Sequence, residues 1–523
     1  MKDERVYSPR ISGAKTPKNQ RRSFVEMIEV SNSRDNSLAA DDKTKNGTST
    51  REIYTAEDAV NRAGFGKFQV KLIMLSCFVW MARGFDSVLG MFISPLLACQ
   101  WNLTRWHSAL LVTITTSFSI LGCICYGMWA DKYGRRTALS SALIFVFVFG
   151  AVSAGLPSYT WFVLFRTVAA FSIGGLAQAL TLCCECVPGL KRGRSVFVLS
   201  CSYAAGVVTL LGVLYATVQP SFHHWRLFVA VGAVPSCIAM VMMRFFPESI
   251  RYLLQSEEYL PATAIVQKMA QTNKCHLPQG TLYPHDPNGK RVRQKRGRVS
   301  HLLDDEHGRT TLLFWFVGLA TAITYYSLDA TTDFIIHKDG EVHFPNATSG
   351  NFLGDISRPL HCLYNMTEER FIQIVWTNAL DFPGFVIYFI FVDLIDRKKL
   401  LCASCVISSI FIFLLHIPST DVMMSTSFVF CARTLLVGQF DMLLLMAAEA
   451  YPTTERGTAV GMQAAATYVG YFATPYIVQG FLEIELEYLI GFCGIIMFLS
   501  GIASAFLTWE TRRMELRETS RTS

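Results

Sequence analysis

The sequence predicts an all-α membrane protein with about twelve transmembrane helices, arranged as two parallel pseudo-symmetric six-helix halves. Of the 523 residues, 51% are hydrophobic, and the mean hydropathy is +0.32. The apolar residues form blocks of roughly 20 residues, the length that crosses the ~30 Å hydrocarbon core of a bilayer. A short motif recurs six blocks later, which indicates duplication of a six-helix unit.

The blocks are numbered here as spans 1 to 12. Spans 1 to 6 are predicted at 72–97, 107–128, 137–156, 161–183, 195–218 and 225–246. Spans 7 to 12 are predicted at 310–336, 370–392, 400–417, 425–448, 457–481 and 487–508. They define an N-terminal half at 56–246 and a C-terminal half at 310–510.

Polar segments flank and separate the two halves. Residues 1–55 have no signal-peptide core, so we expect a disordered cytoplasmic tail. A cytoplasmic loop is expected at 247–309, with the basic run KRVRQKRGR at 290–298, and a second cytoplasmic tail at 511–523. The formal charge, 47 − 40 = +7, fits the positive-inside rule. Contact of the basic run with anionic lipid is favoured over nucleic-acid binding, so the bilayer is an expected partner and nucleic acid is not.

The loops after spans 1 and 7 are expected to face outward, since both termini are assigned to the cytoplasm. Glycosylation sequons at Asn102, Asn346 and Asn365 lie in these loops, in agreement with that orientation. Cys99 and Cys362 fall near the outer face, where a disulfide stays open as an alternative to free thiols. Most other cysteines are expected to be small buried hydrophobic residues.

The repeat lies at the ends of spans 4 and 10. ECVPGLKRG at 185–193 and EAYPTTERG at 449–457 share Glu, Pro, Arg and Gly at the same offsets. The loops between spans 2 and 3 (GMWADKYGRR, 127–136) and between spans 8 and 9 (FVDLIDRKK, 391–399) also correspond.

These repeated charges predict a cytoplasmic latch. Ion pairs of modest strength between helix ends can hold two halves closed and release them as the halves rock. The alternative is that the basic loops only set topology. The predicted latch residues are Gly127, Asp131, Gly134, Arg135, Arg136, Glu185, Arg192, Glu248, Arg251, Asp393, Arg397, Glu449 and Arg456.

The same motifs, together with PESIRYLL at 247–254, resemble signatures of the major facilitator superfamily, in particular its sugar-porter and organic-ion branches. The stretches at 54–69, 381–384 and 449–453 look like the synaptic vesicle 2-related transporter family. The resemblance implies a twelve-helix fold with alternating access, a small organic solute as substrate, and a cytoplasmic vesicle membrane or plasma membrane as location. Three residues depart from the family pattern: Asp396 replaces a glycine, which puts closure of that latch loop in doubt, Tyr468 replaces an arginine and Arg83 replaces an acid.

Asp86 and Arg166 are the leading candidates for proton coupling. Asp86 lies about 14 residues into span 1 and Arg166 about six into span 4, so both lie roughly 9 Å below the outer boundary. GFDSV at 84–88 resembles the stretch of proton-coupled sugar porters in which a span 1 Asp works opposite a span 4 Arg. Rocking that separates such a pair favours protonation of the carboxyl. A permanent interhelical ion pair is the alternative.

Arg83 leaves this assignment open. It precedes Asp86 by three residues, so the two can pair on one helix face. That pairing keeps the Asp ionised and weakens proton coupling, and it leaves an arginine to attract an anionic substrate.

In the second half, an acid inside span 10 is the unusual feature. Asp441 is expected to face the central cavity, where it can bind a cation or a substrate hydroxyl. Arg433 is expected to pair with Asp381 or Asn378 of span 8. Tyr325 and Tyr326 offer aromatic faces for sugars or organic cations, with anchoring at the membrane interface as the alternative. Asp329 and Asp333, near the outer end of span 7, are interpreted as solvent-exposed acids at the opening of the cavity.

The leading function is secondary active transport of a small organic solute, sugar-like or ionic, with protons as an optional partner. The alternatives are an uncoupled organic-ion facilitator and a non-transporting vesicle receptor or scaffold. No P-loop, zinc-ligand cluster or nucleophile elbow occurs in the sequence, so we expect no enzyme activity, no cofactor and no metal site. A monomer is expected.

Overall fold

The computed structural model describes residues 52–218, 224–277, 280–282, 296–304, 307–336, 368–417, 422–482, 484–512 and 514–517. Several expectations lie outside this part of the chain. These are the tail up to residue 51, most of the basic run, the two later sequons at Asn346 and Asn365, Cys362, and the side chains of Cys99 and Asp333.

The described chain is almost entirely helical. Spans 1, 2, 3 and 5 are the helices Lys67–Trp101, Arg105–Tyr133, Arg135–Ser153 and Arg192–Val218. Span 4 consists of Tyr159–Ile173, the 3-10 turn Gly174–Ala177 and Gln178–Cys186, and span 6 of Trp225–Gly232 and Val234–Met242. In the second half, span 7 is the helix Gly308–Ile336, and span 8 consists of Glu368–Ala379 and Asp381–Phe391. Spans 9 to 12 are the helices Arg397–Leu414, Val422–Ala450, Arg456–Leu482 and Leu486–Ala505.

Ten segments of the described chain are long and apolar enough to cross a membrane. The helices at the predicted spans 9 and 11 are less apolar, because span 9 begins with three basic residues and span 11 buries polar side chains such as Thr458 and Gln463. With these two helices the prediction of a twelve-helix, two-half fold is confirmed.

The central segment contains structure that the prediction of a loop missed. Helices form at Ile250–Gln255 and Tyr259–Asn273, and the strands Glu52–Tyr54 and Gly280–Leu282 pair. The side chain of Asn273 contacts the start of span 1, since its amide nitrogen donates to Gln69 Oε1 over 2.8 Å. Short amphipathic helices dock against the bundle although they are too polar to enter a membrane.

Spans 2 and 11 bring the two halves together over most of their length, and spans 5 and 8 do so on the other side. Gly127 of span 2 lies against the backbone of Gly457, so that an added Cβ would sit 2.7 Å from the Gly457 carbonyl oxygen. This close approach requires glycine at position 127. The hydrophobic core runs through both halves, and the polar cavity described below lies between them.

Candidate functional site

A cavity of about 160 Å³ lies between the two halves. One water needs ~10–15 Å³, so the cavity has room for a small organic molecule. Spans 1, 2, 4 and 5 line it from the first half, and spans 7, 8, 10 and 11 from the second. All nine predicted site residues line it except Arg433, which lies directly behind Tyr325.

Asp86 and Arg166 form an ion pair in the wall of this cavity. The Arg166 side chain is 8% exposed and that of Asp86 24%, so the carboxylate is the more accessible partner. The sequence-based depth estimate placed these two residues at one level, and the structure brings them into contact.

Arg83 does not form the local pair with Asp86 that its spacing allowed. Its guanidinium lies over the Trp80 ring, 5.2 Å from the ring centre. Its electrostatic partners are Tyr468 and Asp441 of the second half and Tyr203 and Cys123 of the first half. The local pair that the spacing allowed does not form among the described residues, because Asp86 is engaged by Arg166 and Arg83 lies over Trp80.

Asp441 lies near Ser200 of span 5 and is attracted to Arg83. The cavity thus contains opposite charges on two facing halves that are near each other but do not form a close ion pair in the described residues. A polar solute can lie between them.

The expected partner of Arg433 is also corrected. Arg433 forms an ion pair with Asp329, with 2.7 Å between Nη1 and Oδ1. It also donates to the Tyr325 hydroxyl over 3.4 Å and lies over the Tyr325 ring. That hydroxyl donates to Asp381 at 2.9 and 3.1 Å from its two carboxylate oxygens. Asp329, whose side chain is 27% exposed, is therefore the ion-pair partner of a buried arginine and more than an acid in solvent.

The other span 8 candidate, Asn378, donates its side-chain amide to the Ile374 carbonyl within its own helix. It lines the cavity but does not contact Arg433 among the described residues.

The two halves thus carry equivalent ion pairs. Asp86 on span 1 pairs with Arg166 on span 4, and Asp329 on span 7 pairs with Arg433 on span 10. Spans 7 and 10 are the repeat counterparts of spans 1 and 4, so each half has an Asp–Arg pair between corresponding helices, although of these four residues only Asp86 and Arg166 line the cavity.

Aromatic rings form the second-half wall. Tyr326 lies 4.5 Å from Tyr471 and 5.2 Å from Tyr325, measured between ring centres, and Phe440 packs against both span 7 tyrosines. Tyr325 is buried. These tyrosines line the cavity, so membrane-interface anchoring is the wrong interpretation.

Tyr203 of span 5 is a cavity residue that the sequence reasoning missed. Its hydroxyl donates to Ser87 over 3.1 Å, and Ser87 donates to the Arg83 carbonyl over 3.2 Å. A tyrosine in an apolar span was the available signal, although a lone tyrosine in such a span is usually uninformative.

One end of the bundle is closed by charged residues, and we call it the latch end. There Glu185, which is 1% exposed, contacts Arg456 of the second half at 2.7 Å and Arg135 of its own half at 3.5 Å. Glu449 is arranged in the same way, with Arg192 of the first half at 3.4 Å and Arg397 of its own half in contact.

Two aspartates cap helices of the opposite half at the latch end. Asp131 accepts from the backbone nitrogens of Gly457 at 2.9 Å and Thr458 at 2.7 Å. Asp393 accepts from the backbone nitrogen of Arg194 at 3.3 Å. A carboxylate at a helix N-terminus satisfies free N–H groups and the helix dipole, so each cap joins the halves.

Glu248 holds the turn between spans 2 and 3. It accepts from the backbone nitrogens of Arg135 and Arg136 at 3.0 and 3.2 Å. Gly134 in that turn has φ of +105°, which favours glycine. Burial raises the pKa of Glu248, against the lowering effect of the Ser249 and Arg136 N–H groups and the charge of Arg135.

Glu57 is a latch residue that the sequence reasoning missed. It contacts Arg251, a predicted latch residue, and lies 3.4 Å from Arg192. Thr55 and Asp58 form a capping box that starts its helix, Ala56–Ala63. That box was the available signal that the residues before span 1 are structured.

Asp396 does not weaken the latch as expected. It pairs with Lys399 at 2.7 Å and Arg512 at 3.3 Å, away from Glu449. Its φ is −60°, so this turn has no need of glycine.

Residues 50–325 match the family model described as sugar (and other) transporter. The chain is 31% identical over 471 residues to the synaptic vesicle 2-related protein of Bos taurus, with 90% of this chain and 84% of the relative covered. It is 30% identical to a putative transporter of Caenorhabditis elegans (91% of each covered). It is 24% identical to organic cation/carnitine transporter 7 of Arabidopsis thaliana, with 89% of this chain and 96% of the relative covered.

The fold is similar to that of the proton:xylose symporter XylE bound to a bromodeoxyglucose. The TM-score is 0.60 at 16% identity, with 86% of this chain and 98% of the symporter covered.

Proposed function

For this chain, which belongs to the family of sugar and other transporters within the major facilitator superfamily, we propose secondary transport of a small organic solute by alternating access. The observation that carries the proposal is the polar cavity between two halves that are joined at one end by a symmetric set of ion pairs. Such pairs can break and re-form as the halves rock around a central site.

We assign the latch end to the cytoplasm, with both termini on that side, and Asn102 to the opposite side. The positive-inside rule supports this orientation, because the latch loops are rich in arginine and lysine. The structure then corresponds to a state closed toward the cytoplasm. A cytoplasmic vesicle or plasma membrane is the proposed location.

The Asp86–Arg166 pair is the proposed proton-coupling element. An ionised carboxylate is stable beside a guanidinium. Substrate binding or rocking that draws Arg166 away leaves the carboxyl in an apolar wall, where it accepts a proton from the cavity. Because Asp86 is the more exposed partner, it is the group that a proton can reach.

The proposed solute carries hydroxyl or charged groups and an apolar face. Aromatic residues such as Tyr326 and Tyr471 suit a sugar ring or an organic cation, and the Arg83 and Asp441 side chains can orient polar groups from opposite walls.

An uncoupled facilitator is the second candidate. The observation in its favour is that Asp86 already has a charged partner, so the pair can remain permanent. A receptor without transport is less well supported, because the latch contacts are complete on both sides of the pseudo-symmetry axis.

Purified protein in liposomes tests the proposal. The vesicles are given an imposed pH gradient and a pool of sugars and organic ions, and uptake is compared with and without the gradient. Gradient-dependent accumulation is the expected result. Solute that equilibrates to the same level with and without the pH gradient would favour the facilitator. Solute binding without any flux would favour the receptor.

A further inference from the structure

A recess of about 190 Å³ at the latch end is separate from the central cavity. Lys191 and Arg194 of the first half line it, together with Asp393 and Arg397 of the second half and Arg512, which follows span 12. We call it the basic recess. Its lining contains four cationic side chains and a single carboxylate among the described residues.

The acidic side chains Asp393 and Asp396 near the recess are already paired with cationic side chains. Asp393 lies 3.7 Å from both Arg397 and Arg194, and it also accepts from the Arg194 backbone nitrogen. Asp396 is engaged by Lys399 and Arg512. Arg397 also contacts Glu449, and the backbone nitrogens of Arg397 and Arg512 donate to Glu510. Lys191 lies over the Phe65 ring and forms no ion pair with a carboxylate among the described residues, so a cationic side chain of the recess is left to bind an anion.

Arg397 gives an independent indication of a ligand. Its side chain is 1% exposed, and its Nε has no hydrogen-bond partner among the described residues. Arg512 Nε is likewise buried without such a partner in the described chain. A buried donor without an acceptor is unfavourable, and a ligand in the recess can supply acceptors to these two donors. The Nε atoms of Arg135, Arg433 and Arg456, elsewhere in the described chain, are also buried without one, so the charge of the lining carries the argument.

We propose that the basic recess binds a phosphate group held between the two halves. A phosphate carries about two negative charges and several acceptor oxygens, which suits converging guanidinium and ammonium donors better than one carboxylate does. At about 190 Å³ the recess has room for an organic group attached to the phosphate. Its source is either a soluble organic phosphate or the headgroup of a phosphoinositide.

Binding there favours the closed latch. The recess takes donors from both halves, and rocking that opens the latch separates Lys191 and Arg194 from Arg397. A ligand that binds one state better shifts the equilibrium toward that state. The phosphate is therefore a regulator of opening at the latch end and is not transported.

The test uses the full chain and two kinds of probe. Inositol hexakisphosphate is added to protein in detergent, and phosphatidylinositol bisphosphate is built into phosphatidylcholine nanodiscs. The melting temperature is measured for the native chain, for Lys191→Gln/Arg512→Gln, and for the control Arg244→Gln/Lys268→Gln. The control removes the same charge from exposed positions outside the recess.

The expected result is a higher melting temperature with at least one probe in the native chain and in the control, with the apparent affinity on the order of tenfold weaker in the recess variant. Stabilisation by the soluble probe identifies a soluble phosphate as sufficient, and stabilisation in nanodiscs alone identifies the lipid headgroup. The proposal would be overturned if neither probe shifted the melting temperature of the native chain, or if both double variants lost affinity for the probe equally. Unliganded melting of the recess variant within a few degrees of the native value shows that it folds.

Discussion

Glu185 and Glu449 each form ion pairs with arginines of both halves, across the interface between them. Each accepts one arginine from its own half and one from the other. The two sites are equivalent under the internal repeat, so the latch has two copies of one buried three-residue unit. Each buried carboxylate is the common partner of two arginines, and the arginines have further acidic partners in Asp131, Glu57 and Asp393.

Glu449→Gln is expected to open the latch end. Loss of the shared charge leaves two arginines buried side by side, and removal of one partner from a buried ion pair costs about 3–5 kcal/mol. Cys184 and Cys186 are buried at this end, so their alkylation rate, followed by peptide mass spectrometry, should rise. Glu185→Gln should give a similar increase.

The control for this prediction is Asp396→Asn. Asp396 forms its ion pairs at the surface, where solvent screens them and they contribute little, so alkylation should stay near the native rate. An Asp396→Asn effect as large as that of Glu449→Gln would contradict the assignment of the latch.

Gly127→Ala is expected to weaken contact between spans 2 and 11. The new Cβ would meet the Gly457 carbonyl oxygen at 2.7 Å, and overpacking of this kind costs about 1–3 kcal/mol. Gly212→Ala is the control, because no atom of the described residues lies within 4 Å of its added Cβ. Melting temperature should fall for the first variant and stay equal or rise for the second. An equal decrease in melting temperature in both variants would show that the close approach of Gly127 to Gly457 does not contribute to stability.

Glu248 should make stability depend on pH. Burial raises its pKa from 4.5 in the folded protein, so its contribution is fully present below pH 4.5 and is lost as the pH rises through the folded value. The stability difference between the native chain and Glu248→Gln should therefore favour the native chain more at pH 4.5 than at pH 7. Melting curves across that range measure it, and a difference that grows toward neutral pH would contradict the sign.

Arg433→Lys is expected to weaken solute binding or transport about tenfold. Lysine keeps the charge but cannot contact Asp329, donate to the Tyr325 hydroxyl and lie flat over its ring at the same time. Arg244→Lys, at an exposed position, serves as the control. Native affinity in Arg433→Lys would show that the second-half ion pair is dispensable.

The repeat made the latch the most predictable part of the molecule. Matching offsets around Glu185 and Glu449 identified the residues, because duplicated positions at helix ends meet at the same end of a two-half bundle. Depth along a helix, at 1.5 Å per residue, placed Asp86 and Arg166 at one level, and the resemblance to proton-coupled sugar porters implied that they pair.

Side-chain direction was less predictable. Spacing allowed Arg83 to reach Asp86 and Arg433 to reach Asp381, but long flexible side chains have several partners within reach, and tertiary packing selects among them. Arg83 turns toward Asp441, and Arg433 binds Asp329. The helix at Tyr259–Asn273 was missed because hydropathy detects membrane spans and not short amphipathic helices.

The central claim is that Asp86 couples solute movement to protons through Arg166. The most direct measurement compares native protein with Asp86→Asn in the same liposomes, recording gradient-driven accumulation and solute exchange at equal internal and external pH. Asp86→Asn should lose accumulation and retain exchange, since asparagine keeps the size of the side chain but cannot ionise. Accumulation at the native level in Asp86→Asn would contradict the account.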